Sequence, residues 1–230
     1  MLFSGMLGDD MFGDFIAHSL VQEGVNLHYL SPTKEAKTGL AFVSLDAQCE
    51  RTFEFYRHPS AYMLFTADNY PKHCFDGNDL FHFCSNTLTS DGLYSATLAG
   101  LKRAKEAQWL LSFDVNLRVN LWADNTQARP AIWAFFAYAD LVKMSREELD
   151  FIAGNELQVD TLAKIMAAGV RLIVITDCGK PLRYFSAENS GVMTPMKVTM
   201  VDATAAGNAF VGPMPYSGQA LLSRYPTGWI

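Results

Sequence analysis

Two patterns of apolar residues alternate along this chain. Short apolar runs the length of a strand occur at WLLSFDVN (109–116), DLVKMS (140–145) and RLIVIT (171–176), and each is typical of a strand buried in a sheet. Stretches with apolar residues three and four apart predict helices at 93–107, 131–138 and 161–168. Strands that alternate with helices indicate an α/β protein with a mainly parallel sheet and crossover helices.

Capping residues mark the start of two of the predicted helices. Asp9 or Asp10 can cap a helix that ends at Gly24. Ser145 and Glu148 stand three residues apart, which is the spacing of a capping box. The sequence therefore predicts one helix directly after residue 10 and another directly after residue 145.

One stretch, at about 38–57, breaks the alternation of strands and helices. TGLAFVSLD (38–46) and RTFEFYR (51–57) are joined by the short polar segment AQCE, with no helix between them. Two strands connected in this way predict an antiparallel hairpin. The hairpin is either a plain sheet edge or a flap over a site, since Phe53, Phe55 and Tyr56 are large for an exposed edge.

Composition narrows the classes of protein. The 230 residues suffice for one α/β domain, and a hydrophobic fraction of 50% allows a substantial core. The formal net charge of -6 argues against a nucleic-acid partner, because phosphate binding needs clustered Lys and Arg. The first residues contain neither a basic region nor a long apolar run, so we expect no signal peptide and no membrane partner. Four scattered cysteines favour reduced thiols in the cytoplasm.

Polar residues follow the three apolar strands, at the strand ends where open α/β sheets bind ligands. A helix cap or turn explains Asp114 and Ser145 equally well. Arg118 is harder to explain in that way, because a guanidinium can fork onto a carboxylate, hydroxyls or a phosphate. The polar residues at these ends are Asp114, Asn116, Arg118, Lys143, Ser145, Thr176 and Asp177.

The segment VDATAAGNAFVG (201–212) combines small residues with the start of an apolar helical pattern. Small side chains let an anion approach the backbone, and the free N–H groups of a first helical turn point toward it. An ordinary turn before a packed helix would give the same pattern. Spacing alone leaves both interpretations open.

This segment resembles the second signature of the PfkB, or ribokinase-like, family of carbohydrate kinases, D-T-x-G-A-G-D-A-F, and the overall pattern is most similar to fructokinases. The resemblance implies that Ala205, Ala206 and Gly207 form an anion hole for the transferring phosphoryl group. It also implies that Asp202 belongs to the cofactor-binding residues and that position 208 is that of the general base. This chain has Asn208 there.

Two other segments resemble the family's sugar-binding parts. The hairpin is similar to the lid that closes over the sugar, which implies substrate contacts by Tyr56 and Arg57. SFDVNLR resembles the family's D-x-N-x-R, which implies that Asn116 and Arg118 bind the substrate.

Two further segments resemble the nucleotide-binding parts. KMSREEL falls where the family has N-x-x-E, with Ser145 in place of the asparagine; the resemblance implies that Lys143 and Ser145 bind the cofactor. Glu148 is retained and is expected to act on Mg²⁺ indirectly. RLIVITDCGK matches the strand and turn beside the nucleotide, which implies that Thr176 and Gly179 lie near ATP.

Taken together, the resemblance implies a three-layer ribokinase-like sandwich, as one partial domain over 1–230 with a lid hairpin at about 38–57. It implies an enzyme that uses ATP and Mg²⁺ to phosphorylate a sugar hydroxyl, with fructose as the expected sugar, and that can dimerise through the lid. One alternative is a 2-keto-3-deoxygluconate kinase, whose substrate carboxylate would pair with Arg57 and Arg118. Another is a non-catalytic protein that binds nucleotide or sugar. A Rossmann oxidoreductase is disfavoured, because no G-x-G-x-x-G follows a predicted strand.

Three departures from the family pattern bear on activity. The family's first signature would lie upstream of residue 1, and Pro213 and Pro215 fall inside an expected helix. We therefore expect the chain to lack N-terminal and C-terminal portions of the fold. The amide of Asn208 cannot accept a proton as a carboxylate does, so impaired activity is expected. The combination of a missing substrate motif and a missing base favours decay of an active kinase over a purposeful loss of catalysis.

Overall fold

A computed structural model describes the chain at residues 1–45, 51–77, 80–196 and 206–212, with the side chains of 45, 51, 206 and 208 outside the description. The strands in these residues are β1 Leu2–Gly8, β2 Asn26–Thr33, β3 Leu40–Leu45, β4 Arg51–Tyr56, β5 Leu80–Cys84, β6 Leu110–Asp114, β7 Leu141–Ser145, β8 Leu172–Asp177, β9 Lys180–Ser186 and β10 Ser190–Met193. The α-helices are α1 Met11–Gln22, α2 Asp91–Glu106, α3 Ala128–Phe136, α4 Arg146–Ala153, α5 Gln158–Ala167 and α6 Ala206–Val211. None of the described helices has the length and apolar character to cross a membrane.

The contacts divide the chain into two compact units. Unit 1 comprises Met1–Asp76 and Ser90–Gly100, and unit 2 comprises Gly77–Thr89 and Leu101–Ile230. The single domain expected over 1–230 stays a prediction.

Unit 2 is built on a six-stranded sheet in the order β10-β9-β8-β7-β6-β5. Neighbouring strands from β5 to β8 are parallel, whereas β9 pairs antiparallel with β8, and β10 with β9. The three strands predicted from apolar runs, β6, β7 and β8, lie side by side within this sheet. The prediction of a mainly parallel α/β sheet is confirmed.

Helices cover both faces of this sheet. On one face the rings of Phe83 and Phe113 stack with centroids 4.6 Å apart, and Phe135 and Phe136 of α3 pack against them. On the other face Phe210 of α6 packs with a cluster formed around Leu141 and Val174. Because successive side chains of a strand alternate between faces, Phe113 points to the first face and its neighbour Asp114 to the second.

Unit 1 contains a parallel pair, β1 with β2, and the antiparallel hairpin β3–β4. The predicted cap of α1 is confirmed at Asp10, whose Oδ1 accepts hydrogen bonds from the amides of Phe12 and Gly13. Its Oδ2 accepts a third from the amide of Thr38 at 2.8 Å. These bonds, that from Thr38 foremost, lower the pKa of Asp10. The carboxylate of Asp10 thus caps α1 and also binds the backbone of the segment before the hairpin.

The hairpin itself is confirmed as a structure. Its register runs from Leu40 opposite Tyr56 to Leu45 opposite Arg51 without a shift. Its role as a lid stays a prediction.

Candidate functional site

Polar side chains meet at the carboxyl edge of the sheet in unit 2. In the parallel register Asp114 of β6 lies opposite Lys143 of β7, and Ser145 of β7 lies opposite Thr176 of β8. The carboxyl ends of parallel strands share one edge, which is where α/β sheets bind ligands. Of the residues predicted to bind the cofactor, Lys143, Ser145 and Thr176 are therefore brought together.

Asp114 and Lys143 form a buried ion pair at this edge. Asp114 is 3% exposed and Lys143 is 6% exposed. The ammonium nitrogen lies 3.1 Å from Oδ1 and 3.5 Å from Oδ2 of the carboxylate. Asp114 is thus neither a helix cap nor a turn residue, the two structural explanations that the sequence left open.

Gly207 lies close to this ion pair. A Cβ atom built on Gly207 would stand 3.7 Å from the ammonium nitrogen of Lys143, at ordinary van der Waals distance. Leu141 and Lys143 project from the same face of β7, and Phe210 of α6 packs on that face. The described part of the small-residue segment therefore lies over the positive end of the ion pair.

Ser145 and Glu148 form the predicted capping box at the start of α4. The hydroxyl of Ser145 accepts from the amide of Glu148 at 3.1 Å, and Oε2 of Glu148 accepts from the amide of Ser145 at 2.7 Å. Oε1 accepts from the amide of Leu117 at 2.7 Å. Glu148 thus fixes both the start of α4 and the segment after β6.

The environment of Glu148 shifts its titration. Burial raises the pKa of Glu148 above its ordinary value of 4.5, although the amide of Ser145 and the charge of Lys143 act in the opposite direction. Desolvation thus outweighs the hydrogen bonds that this carboxylate accepts.

The stability of the wild type should decline as the pH rises above 4.5, and replacing Glu148 with glutamine should make this decline less steep. Glu148 keeps its proton to a higher pH in the folded chain than in the unfolded chain, so the folded state binds more protons in that window. Stability therefore falls as the pH rises through it. Thermal melting of both proteins from about pH 4.5 to about pH 7 measures the slope.

Glu147→Gln is the matched control, since that side chain is 57% exposed on the same turn. Burial also raises the pKa of Asp140, but this carboxyl is present in every protein compared. If the stability of wild type and Glu148→Gln declined equally with pH, the raised pKa of Glu148 would not be the cause of the decline.

The remaining predicted residues of unit 2 lie around this edge. Asn116 adopts a positive φ of 37° in the segment after β6. One guanidinium nitrogen of Arg118 donates to the carbonyl of Leu117 at 3.2 Å. Gly179, with a φ of 79°, lies in the tight turn between β8 and β9. Their ligand roles stay predictions.

The predicted substrate residues of the hairpin belong to unit 1. Tyr56 is 60% exposed, whereas Arg57 is 4% exposed. The guanidinium of Arg57 lies over the ring of Tyr62, 5.5 Å from its centroid, which is a cation–π distance. Sugar contact by either residue stays a prediction.

Part of the predicted phosphate segment falls outside the description. Asp202 and Ala205 lie outside the described residues. Ala206, Gly207 and Asn208 form the first residues of α6, but the side chains of Ala206 and Asn208 are not described. The anion hole and the position of the general base therefore stay predictions.

The pairing of Asp114 with Lys143 was not predicted from the sequence. A signal was present, because opposite charges occur in two mainly apolar strands, Asp114 at the end of β6 and Lys143 in the middle of β7. The contact between His82 and the hydroxyl of Ser112, at 3.0 Å across β5 and β6, was not predicted either. In the described part of the chain, no group of three His, Cys, Asp or Glu side chains is arranged to hold a metal ion.

Comparisons with known proteins point to one family. The sequence model of the pfkB family of carbohydrate kinases matches residues 1–216. Fructokinase-1 of Zea mays is 38% identical over 213 residues, which is 92% of this chain and 66% of the maize protein. The chain thus spans just under two thirds of the length of that relative.

Solved structures agree with this match. A crystal structure of fructokinase from Xylella fastidiosa with bound ATP is similar with a TM-score of 0.89 and 37% identity, over 94% of this chain and 67% of that chain. A putative ribokinase II from E. coli has a TM-score of 0.86 over 95% of this chain and 70% of that chain, and its 23% identity bears on the fold alone. The ribokinase-like fold is therefore confirmed.

Proposed function

Because the chain belongs to the pfkB family of carbohydrate kinases, we propose that the whole protein transfers the γ-phosphoryl group of ATP to a hydroxyl of fructose. The observation that carries this proposal is the 38% identity to a fructokinase over 92% of the chain. The polar carboxyl edge of unit 2 supports it, since Lys143, Ser145 and Thr176 stand where an α/β sheet binds its ligand.

Phosphoryl transfer needs positioning and neutralisation of charge more than covalent chemistry. In this proposal the backbone amides of Ala205, Ala206 and Gly207 donate to the transferring group, and Lys143 adds positive charge beside them. Asn116, Arg118, Tyr56 and Arg57 are proposed to hold the sugar. Asp202, Thr176 and Gly179 are proposed to contact the nucleotide.

The carboxylates at this edge of the sheet fit a Mg²⁺ ion that is held through water and not by direct coordination. Both oxygens of Glu148 already accept backbone hydrogen bonds, and Asp114 is paired with Lys143. A bound Mg²⁺ would neutralise charge on the phosphates. Glu148 would hold it through water, because each carboxylate oxygen has a further lone pair. This agrees with the indirect contact that the resemblance implied.

Asn208 affects one step of the proposed reaction, the deprotonation of the sugar hydroxyl. A neutral amide cannot take the proton of the attacking sugar hydroxyl, so we propose that turnover by this chain is low. A protein that binds nucleotide and sugar without transfer is the second candidate, and Asn208 is the residue that favours it.

Release of ADP in a coupled assay with a panel of sugars tests the substrate. Fructose should give the highest kcat/KM of the panel, in wild type and in Asn208→Asp. If 2-keto-3-deoxygluconate is preferred, turnover should depend on its carboxylate, and the alternative with Arg57 and Arg118 takes the place of fructose. Absence of any sugar-dependent ADP release in both proteins would contradict a kinase.

Location and assembly follow from the same proposal. We propose a cytoplasmic protein that forms a dimer through the β3–β4 hairpin, where Phe42 and Tyr56 are 56% and 60% exposed. Sedimentation velocity that shows a monomer at micromolar concentration would contradict the dimer.

A further inference from the structure

The buried ion pair between Asp114 and Lys143 is poorly explained by stability alone. Removing two charges from water carries a large desolvation cost, and well-packed apolar residues in their place are often as stable. Both groups are at least nine-tenths buried, and most of the other residues of the two strands are apolar. A chemical role is therefore the better explanation of the pair.

The geometry fixes the ammonium rather than merely neutralising it. A lysine side chain has a flexible stem and three rotatable donors, so without a rigid acceptor its charge can take several positions. Asp114 belongs to the neighbouring strand, directly opposite Lys143, and it approaches the ammonium with both oxygens. Within the described residues, its carboxylate is the only hydrogen-bond acceptor of the ammonium.

At least one N–H of the ammonium is left for another acceptor, since Asp114 can take at most two of the three. Gly207 has no side chain, and the place its Cβ would occupy is 3.7 Å from the nitrogen. Glu148 also acts on this ammonium through its charge, but it is held by the amides of Ser145 and Leu117. Asp114 thus fixes the ammonium from one side, and within the described residues at least one N–H of the ammonium has no acceptor.

We propose that Asp114 is a positioning residue, which fixes the ammonium of Lys143 beside Gly207 so that it can donate to a phosphate oxygen of the bound nucleotide. This inference rests on the proposed kinase function. It adds to that function a residue, Asp114, that touches neither nucleotide nor sugar.

A double-mutant cycle on nucleotide affinity tests the proposal. Calorimetric titration of the full chain with ADP and with adenosine, both with Mg²⁺, compares wild type, Asp114→Asn, Lys143→Met and the double variant. We expect each single variant to bind ADP roughly tenfold more weakly, as for loss of one charge-assisted hydrogen bond. The double variant should bind no more weakly than Lys143→Met, because Asp114 acts through Lys143. Adenosine affinity should be unchanged in all of them, since adenosine has no phosphate.

Lys164→Met is the control, because this lysine is 56% exposed in an ion pair on α5. Circular dichroism establishes that each variant is folded. Should a single variant unfold, the double variant still provides a test of the proposal. It removes both charges, and it should bind ADP as weakly as expected for a site without the ammonium.

The outcomes separate this inference from the function on which it rests. Binding of ADP by the wild type with no loss in Asp114→Asn or in the double variant overturns the inference alone. Equal losses for ADP and adenosine also overturn it, since they indicate a structural role. A wild type that binds neither ligand overturns the inference together with the proposed function.

Discussion

Asn208→Asp should raise the turnover of fructose phosphorylation by about 10²- to 10⁴-fold, the range that a general base contributes. In the resemblance to the PfkB signature, position 208 is that of the group which takes the proton from the sugar hydroxyl. An aspartate can accept this proton, whereas the amide of Asn208 cannot. The remaining parts of the proposed machinery lie on the backbone or on other residues, so the substitution changes one step. The measurement is kcat from coupled ADP release.

Asn208→Ala is the matched control for this gain. It provides no base, so its turnover should stay at the level of the wild type. An Asn208→Asp protein that binds ADP and fructose as the wild type does, but turns over no faster, would show that position 208 is not the site of the base.

Phe113→Ala should lower the free energy of unfolding by about 3–5 kcal/mol, the cost of truncating a fully buried phenylalanine. Phe113 is 0% exposed, its ring stacks on Phe83, and Phe136 packs against it. The cavity would open between the sheet and α3, where a rigid sheet cannot collapse around it. Urea unfolding followed by circular dichroism measures the loss.

Val159→Ala is the control on the same unit, because Val159 is 66% exposed on α5. It should change stability by less than about 0.5 kcal/mol. If Phe113→Ala unfolds at the same urea concentration as this control, the packing of Phe113 between the sheet and α3 does not stabilise unit 2.

Local patterns were sufficient to predict much of unit 2. The strands β6, β7 and β8 are short apolar runs, and the capping box needs only Ser145 and Glu148 three residues apart. These features depend on neighbours in the sequence, so no knowledge of the fold was required. The strands β9 and β10 were not predicted, because KPLRYFS mixes apolar and polar residues without a clear period.

The charges of Asp114 and Lys143 are visible in the sequence of the two strands, but their pairing does not follow from neighbouring residues. The two residues are 29 positions apart, and they meet only because β6 and β7 pair in one particular register. A shift by one residue would place them on opposite faces of the sheet. For the same reason the proximity of Lys143 to Gly207 emerges only once α6 is packed on the sheet.

Transfer of a labelled γ-phosphoryl group tests the central claim most directly. The full chain, as wild type and as Asn208→Asp, is incubated with Mg²⁺, fructose and ATP labelled at its γ-phosphate, and the label is traced. If the protein is a fructokinase, labelled phosphate is transferred to fructose, slowly by the wild type and much faster by Asn208→Asp. Label that stays on ATP or appears only in inorganic phosphate, in both proteins, would contradict it.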